Sequence, residues 1–255
     1  MSTCSFFFAP GEIGRYDKCI ADRLNRSSDY TRKTGTNRPL RSKGISPRSR
    51  DTRRQILEAA DRALRSKGLL GASTREIARE AGVADGTIYV HFADRIDLFL
   101  ALIQEHLPIF VDPLKRLQTR IGKRTVEANL SDVLDASFAW HTRMRPVFGA
   151  LAADPALLDA LRERLIQRNE GPHLAVRCVE AYLNQEKQLG RVNAGISAAA
   201  VAIALFGASH YWSSVLDRLG NTLGYSRKTL IREVIDSLTC GLEPKLAMRK
   251  QQRRK

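Results

Sequence analysis

From Thr52 onward, apolar residues recur every three or four positions, and no run alternates strictly over five residues or more. Ile56, Leu57, Ala60, Ala63 and Leu64 share one face of a helix expected over 52–67, and Gly68 gives it a C-terminal stop. Ser73 and Glu76 stand three apart before Ile77 and Ala78. In that capping-box pattern the serine caps the first turn and the glutamate reaches back. The helix it opens is short, because Gly82 follows six residues after Glu76. Asp94 opens another, with Ile96, Phe99, Leu100, Ile103 and Leu107 inward, and Pro108 is expected to end or kink it. Beyond Pro113, helical elements are expected near 114–122, 129–145, 146–152, 155–169, 172–190, 195–219 and 226–243. The predicted fold class is all-α.

Between the short helix and Asp94 lies GVADGTIYVHF, residues 82–92, which is rich in strand-forming residues. A lone strand in a helical chain would leave its backbone groups unpaired, so a second short helix over 85–91 is the consistent reading. Val83, Ile88 and Phe92 then face inward against Ile77, Ala78 and Leu98. Two short helices joined by a tight glycine turn form a helix-turn-helix, the unit that presents its second helix to the DNA major groove. Thr87, Tyr89, Val90 and His91 remain on the outer surface, where such a group is of use only in contact with something. Asp85 is the expected substitute for the missing side-chain cap at Ala84.

In order along the chain, ILEAA at 56–60, Gly68, STREIA at 73–78, AGV at 81–83, GTIYVHF at 86–92 and DLF at 97–99 resemble the N-terminal domain of TetR-family transcriptional regulators. The resemblance covers about a fifth of the chain. It implies a three-helix DNA-binding head at 51–107 and a helical ligand-binding and dimerisation domain at 108–244. The partners it implies are a double-stranded DNA operator, a second copy of the chain and a small-molecule effector of unknown identity. By position, Thr74 and Arg75 fall near DNA at the start of the second helix. Asp85, Gly86, Thr87 and Val90 face the groove, Tyr89 and His91 donate to phosphates, and Arg95 holds a phosphate where relatives usually carry lysine.

For the second domain the residues say less. Phe138, Trp140, His141, Met144 and Phe148 are candidates for lining an effector cavity, as are Tyr182, Phe206, His210 and Tyr211; core packing is the competing reading for each. Ala198, Ala202, Leu205, Ser209 and Trp212 make a small-residue face suited to close helix packing, and Ile231, Val234, Ile235 and Leu238 make another. By resemblance these two helices pair with their symmetry mates, and completion of a monomeric core is the alternative.

Charge changes the picture at the ends. Residues 1–50 carry 11 basic and 4 acidic side chains, 51–105 carry 8 and 9, 106–244 carry 17 and 14, and 245–255 carry 6 and none. The head is thus short of positive charge for a DNA binder. The arm at 1–50, expected to be mostly disordered, is expected to add non-specific attraction, and the tail at 245–255 is equally basic. A helical scaffold or adaptor whose basic tails bind nucleic acid or membrane is the rival reading, favoured by the tails alone.

Catalysis finds no support. There is no phosphate loop, GxSxG or dinucleotide fingerprint, so the chain is expected not to be an enzyme and to need no cofactor. Four scattered cysteines and five scattered histidines make no metal-ligand spacing. They suit reduced thiols in a cytoplasmic protein. The longest apolar run, Ile196–Ala208, is too short for a membrane span and is expected to be a buried helix, and Phe6–Phe8 make no credible signal peptide.

Overall fold

A computed structural model describes residues 47–220 and 223–240. The basic arm up to residue 46 and the basic tail lie outside the described residues. In chain order the helices are α1 (Pro47–Gly71), α2 (Thr74–Ala81), α3 (Asp85–His91), α4 (Arg95–Thr119), α5 (Val126–Ala152), α6 (Pro155–Arg168), α7 (His173–Gln188), α8 (Ala198–Tyr211) and α9 (Arg227–Cys240). A π-helical turn, Trp212–Leu216, extends α8. Among the described residues there is no strand. The chain is all-α.

Helix α1 starts earlier than the expected Thr52, with Pro47 in its first turn, where a missing N–H costs nothing. It is interrupted at Gly68, whose φ of 64° is left-handed and favours glycine. The expected breaks at three prolines do not occur: α4 runs through Pro108 and Pro113, and α5 runs through Pro146. A proline inside a helix costs about 3 kcal/mol, whereas each large apolar side chain buried beside it contributes roughly 1.5–3 kcal/mol. Phe110, Val111, Leu114 and Leu117 are buried around the first two prolines, and Met144, Val147 and Leu151 around the third.

Packing divides the described chain into two units that are discontinuous in sequence. One comprises residues up to Pro108 together with Ala139–Gly171, and the other comprises Ile109–Phe138 together with Pro172 onward. Helices α4 and α5 each contribute to both. The first unit closes over one apolar core in which Ile56 and Leu64 of α1, Ile77 of α2, Ile88 of α3 and Leu98 of α4 meet Met144 and Leu151 of α5 and Leu161 of α6. Ion pairs ring this core. Arg143 donates to Asp61 at 2.8 Å, Arg65 donates to the same carboxylate at 3.1 Å and to the Arg143 carbonyl at 2.9 Å, and Arg164 reaches Asp94 at 2.7 Å. Asp94 stays below the ordinary carboxylate range. Burial opposes its charge, but the Asp97 amide and Arg164 outweigh burial.

The second unit encloses polar groups as well. Asn129 donates to the Tyr182 hydroxyl at 2.9 Å, and Glu186 accepts from the Gly122 amide at 3.0 Å and pairs with Arg191 at 3.0 Å. Ser137 and Ser209 hydrogen-bond at 2.7 Å. The candidate partner-facing residues lie mostly inside the chain. Ala198, Ala202, Leu205, Ser209 and Trp212 are buried within the chain, as are Ile231 and Ile235, while Val234 and Leu238 are half-buried. The inward face of α8 packs mainly against α7. Nor is α8 a wholly buried helix: Ile203 and Tyr211 on its other side are 60% and 55% exposed.

Candidate nucleic-acid interface

Helix α2 begins where the Ser73 hydroxyl accepts from the Glu76 amide at 3.2 Å, as the capping pattern predicts. The reciprocal half of the capping box is absent. Glu76 instead accepts from Arg79 and Lys67, and these hydrogen bonds hold its carboxyl down to about 2. At the C-terminus, Gly82 adopts a left-handed φ of 68°, and the Val83 amide reaches back to the Ala78 carbonyl at 3.0 Å. This turn redirects the chain within two residues. Ala84 is extended and precedes α3 without a side-chain cap, so its carbonyl receives the Thr87 amide at 2.8 Å. The capping role expected of Asp85 is therefore not taken up. Its carboxylate lies beside Arg75 instead, 3.7 Å away.

Ile88 and Phe92 anchor α3 in the core, and Val83 packs against the same cluster. With only seven residues, that leaves the opposite side of α3 in solvent: Tyr89 is 58% exposed and Val90 80%. The Thr74 hydroxyl lies 3.3 Å from the Tyr89 hydroxyl, which ties the start of α2 to α3. Arg75 and Asp85 both project outward beside them, and Gly86 is exposed. Thr74, Thr87 and His91 are half-buried on the same surface. Burial first, and the nearby Arg53 charge second, hold His91 below the usual histidine range, so it is neutral at pH 7. Arg53 is the member that sequence reasoning missed. It comes from α1, where it reads as an ordinary outer-face arginine, yet its guanidinium stacks on Phe92, 4.9 Å from the ring centroid. Arg95 opens α4 with its guanidinium over Phe99 and 3.8 Å from Asp154.

Hydroxyl and guanidinium donors thus surround an apolar projection. Donors of this kind suit phosphate oxygens, and an exposed valine suits a thymine methyl in the major groove. Residues 56–102 match the family model described as bacterial regulatory proteins, tetR family. That segment is the DNA-binding segment of a TetR-family transcriptional regulator. Over 200 residues it is 26% identical to the fatty acid metabolism regulator protein of Bacillus subtilis, spanning 75% of this chain and 95% of that one. HTH-type transcriptional regulators of Staphylococcus aureus are 34% identical over 70 residues, which is 28% of this chain and 38% of theirs. Among solved structures, a TetR-family regulator from Mesorhizobium loti aligns with a TM-score of 0.60 at 20% identity, covering 77% of this chain and 97% of that one. FadR of Bacillus subtilis in complex with stearoyl-CoA aligns with a TM-score of 0.56 at 23% identity, over 74% and 98%. With that segment, the chain is a DNA-binding transcriptional regulator.

The candidate effector residues fall in different units. Trp140, His141 and Phe148 form a ring cluster in the head unit, with Trp140 and Phe148 centroids 5.3 Å apart, and Met144 lies in that unit's core. In the second unit, Phe138 meets Trp212 edge-on, Phe206 meets Phe110, and Tyr182 is fully buried. His210 and Tyr211 are exposed. Among the described residues no three His, Cys, Asp or Glu side chains gather as a metal site.

Proposed function

We propose that the protein is a repressor that binds a roughly palindromic operator as a homodimer and leaves it when a small effector binds. The observation that carries this reading is the outward group of Thr74, Arg75, Tyr89, Val90 and His91, which folding of the head does not require. In the proposed complex, α3 lies in the major groove, Tyr89 and His91 donate to phosphates, and Arg95 holds a phosphate at the start of α4. Two heads reach half-sites about one helical turn apart, or a multiple of it. The second copy sits on the outward side of α8, around Ala200, Ile203, Ala204, Gly207 and Tyr211, all of which are exposed. The side of α8 expected from sequence is buried within the chain, which favours the outward side.

For the effector we propose a long-chain acyl-CoA. Support comes from the likeness to the fatty acid metabolism regulator and to FadR with stearoyl-CoA. An effector shifts the protein between DNA-competent and DNA-incompetent states by its differential affinity for the two. The proposed site of action is the bacterial cytoplasm. Sedimentation of the protein with a symmetric operator duplex tests the stoichiometry: two chains per duplex are expected, and one chain would exclude the dimer. Adding stearoyl-CoA to the same complex is expected to free the DNA. An intact complex at saturating ligand would reject the acyl-CoA assignment and leave the dimer standing.

A further inference from the structure

Many charged side chains of the head are held in close ion pairs. Glu76 is taken by Arg79 and Lys67, Glu80 by Arg62, Asp61 by Arg65 and Arg143, and Asp94 by Arg164. Arg75 and Asp85 are looser, as are Arg54 with Asp51 and Glu58 on α1, but of these Arg75 and Asp85 alone stand beside α3. Their closest approach is 3.7 Å, beyond hydrogen-bonding distance, and their side chains are 89% and 62% exposed. Both keep their full hydrogen-bonding capacity on the face that carries Tyr89 and Val90.

An acid in this place works against affinity. It faces phosphates from a segment, 51–105, whose charges already sum to one negative. An ionised carboxylate only accepts hydrogen bonds, so in the major groove it is satisfied by an exocyclic amine alone, cytosine N4 or adenine N6. Adenine N6 sits beside N7, a lone pair on the same base that repels the second carboxylate oxygen; cytosine N4 has only C5–H beside it on its own base, and the guanine O6 across the pair is taken by an arginine. Across the same base pair, guanine offers O6 and N7 to the fork of an arginine. A carboxylate and a guanidinium side by side therefore match the major-groove edge of a C·G pair.

We infer that Arg75 and Asp85 act together as a specificity-determining couple that reads one C·G pair in each operator half-site, Asp85 on cytosine and Arg75 on the paired guanine. This rests on the helix-turn-helix reading of the preceding subsection. Binding exchanges a loose, solvent-exposed ion contact for two base contacts. Other base pairs either set the carboxylate beside the adenine N7 lone pair or leave it unpaired against the phosphates.

The test is selection of DNA from a randomised library by the full chain and by its Asp85→Ala, Asp85→Asn and Arg75→Ala variants, followed by titration of the selected sites. The wild type is expected to require C·G at one position of each half-site and to lose roughly 10- to 100-fold when that pair is replaced. Asp85→Ala is expected to remove that requirement and keep the preferences elsewhere. Asp85→Asn should move the preference toward adenine, whose N6 and N7 suit an amide. Replacing the guanine by 7-deazaguanine should weaken the wild type and Asp85→Ala, and leave Arg75→Ala unaffected. Identical base preferences in the wild type and Asp85→Ala would overturn the inference while leaving the regulator reading intact. A wild type that selects no sequence would instead remove the reading on which it stands.

Discussion

In the head unit, charged side chains ring an apolar core, whereas in the unit formed by Ile109–Phe138 and Pro172 onward a carboxylate, an amide and a phenol are fully enclosed. Asp61, Asp94 and Glu76 meet their arginine or lysine partners at the rim, in water's reach. Glu186, Asn129 and Tyr182 meet theirs in the interior. The difference matters because exposed pairs contribute little to stability and exchange readily for a phosphate or a base, while enclosed polar groups penalise every packing that leaves them unsatisfied. The head can thus present donors to DNA at small cost to its fold. In the second unit the enclosed groups tie α7 to α5 and to the turn at Gly122.

Substitutions should separate the two regimes. The largest effect is expected from Glu186→Ala, which leaves the Gly122 amide and Arg191 without their carboxylate and should cost about 3–5 kcal/mol. Urea denaturation reads this, and an unchanged midpoint would break the contrast. DNA affinity per folded molecule should stay the same.

Next comes an alkaline limit set by Tyr182. Burial, aided by the Glu186 charge and opposed by the Asn129 hydrogen bond, pushes the phenol up to about 12. Its folded-state value is raised above an unfolded one near 10, so the associated stability is full below pH ~10 and is lost as pH climbs through about 12. At the top of that window the loss is about 2–3 kcal/mol. The stability difference between wild type and Tyr182→Phe should therefore narrow from pH 9 to pH 12. A constant difference would mean that the phenol is not held neutral by the fold.

At the rim, Arg143→Ala should cost about 1 kcal/mol, because its partner Asp61 keeps Arg65. Arg75→Ala should change stability by less than about 0.5 kcal/mol while weakening DNA binding. A thermal melt with a DNA titration on the same preparation distinguishes these from the enclosed set. Loss of stability comparable to Glu186→Ala at either position would blur the comparison. The smallest effect concerns His91. It is held neutral in the free protein and gains charge next to a phosphate, so DNA affinity should rise as pH falls from 8 to 6, by roughly tenfold or less. His91→Gln should flatten that slope.

Much of the head was legible in sequence because its signals are local. Ser73 and Gly82 mark both ends of α2, and the spacing of Ile77, Ala78, Ile88 and Phe92 gives the inward faces without knowledge of a partner. The second unit hid more. Helix α8 reads AAAVAIALFGASHY, small or apolar at nearly every position, so periodicity cannot tell its inward from its outward side. Pro108, Pro113 and Pro146 read as breaks because burial by distant residues, which offsets them, has no local signal. The pairing of Arg143 with Asp61, 82 residues apart, is equally silent, and with it the packing of Met144 into the head's core. Asp85 carried two expectations, a cap and a place on the outward face, because an acid at a helix start has one local signature for both; the structure shows no cap and leaves it outward beside Arg75.

The central claim is that the exposed face of α3, with α2 beside it, recognises DNA by sequence. Purified full-length chain and its Tyr89→Phe/His91→Ala variant would be titrated with the DNA flanking its own reading frame and with unrelated DNA, across a salt series. Tight binding to the flanking DNA, weak binding to the unrelated DNA and loss of that selectivity in the variant is the expected result. Equal, salt-sensitive binding of both proteins to every DNA would contradict it and assign the attraction to the basic ends of the chain.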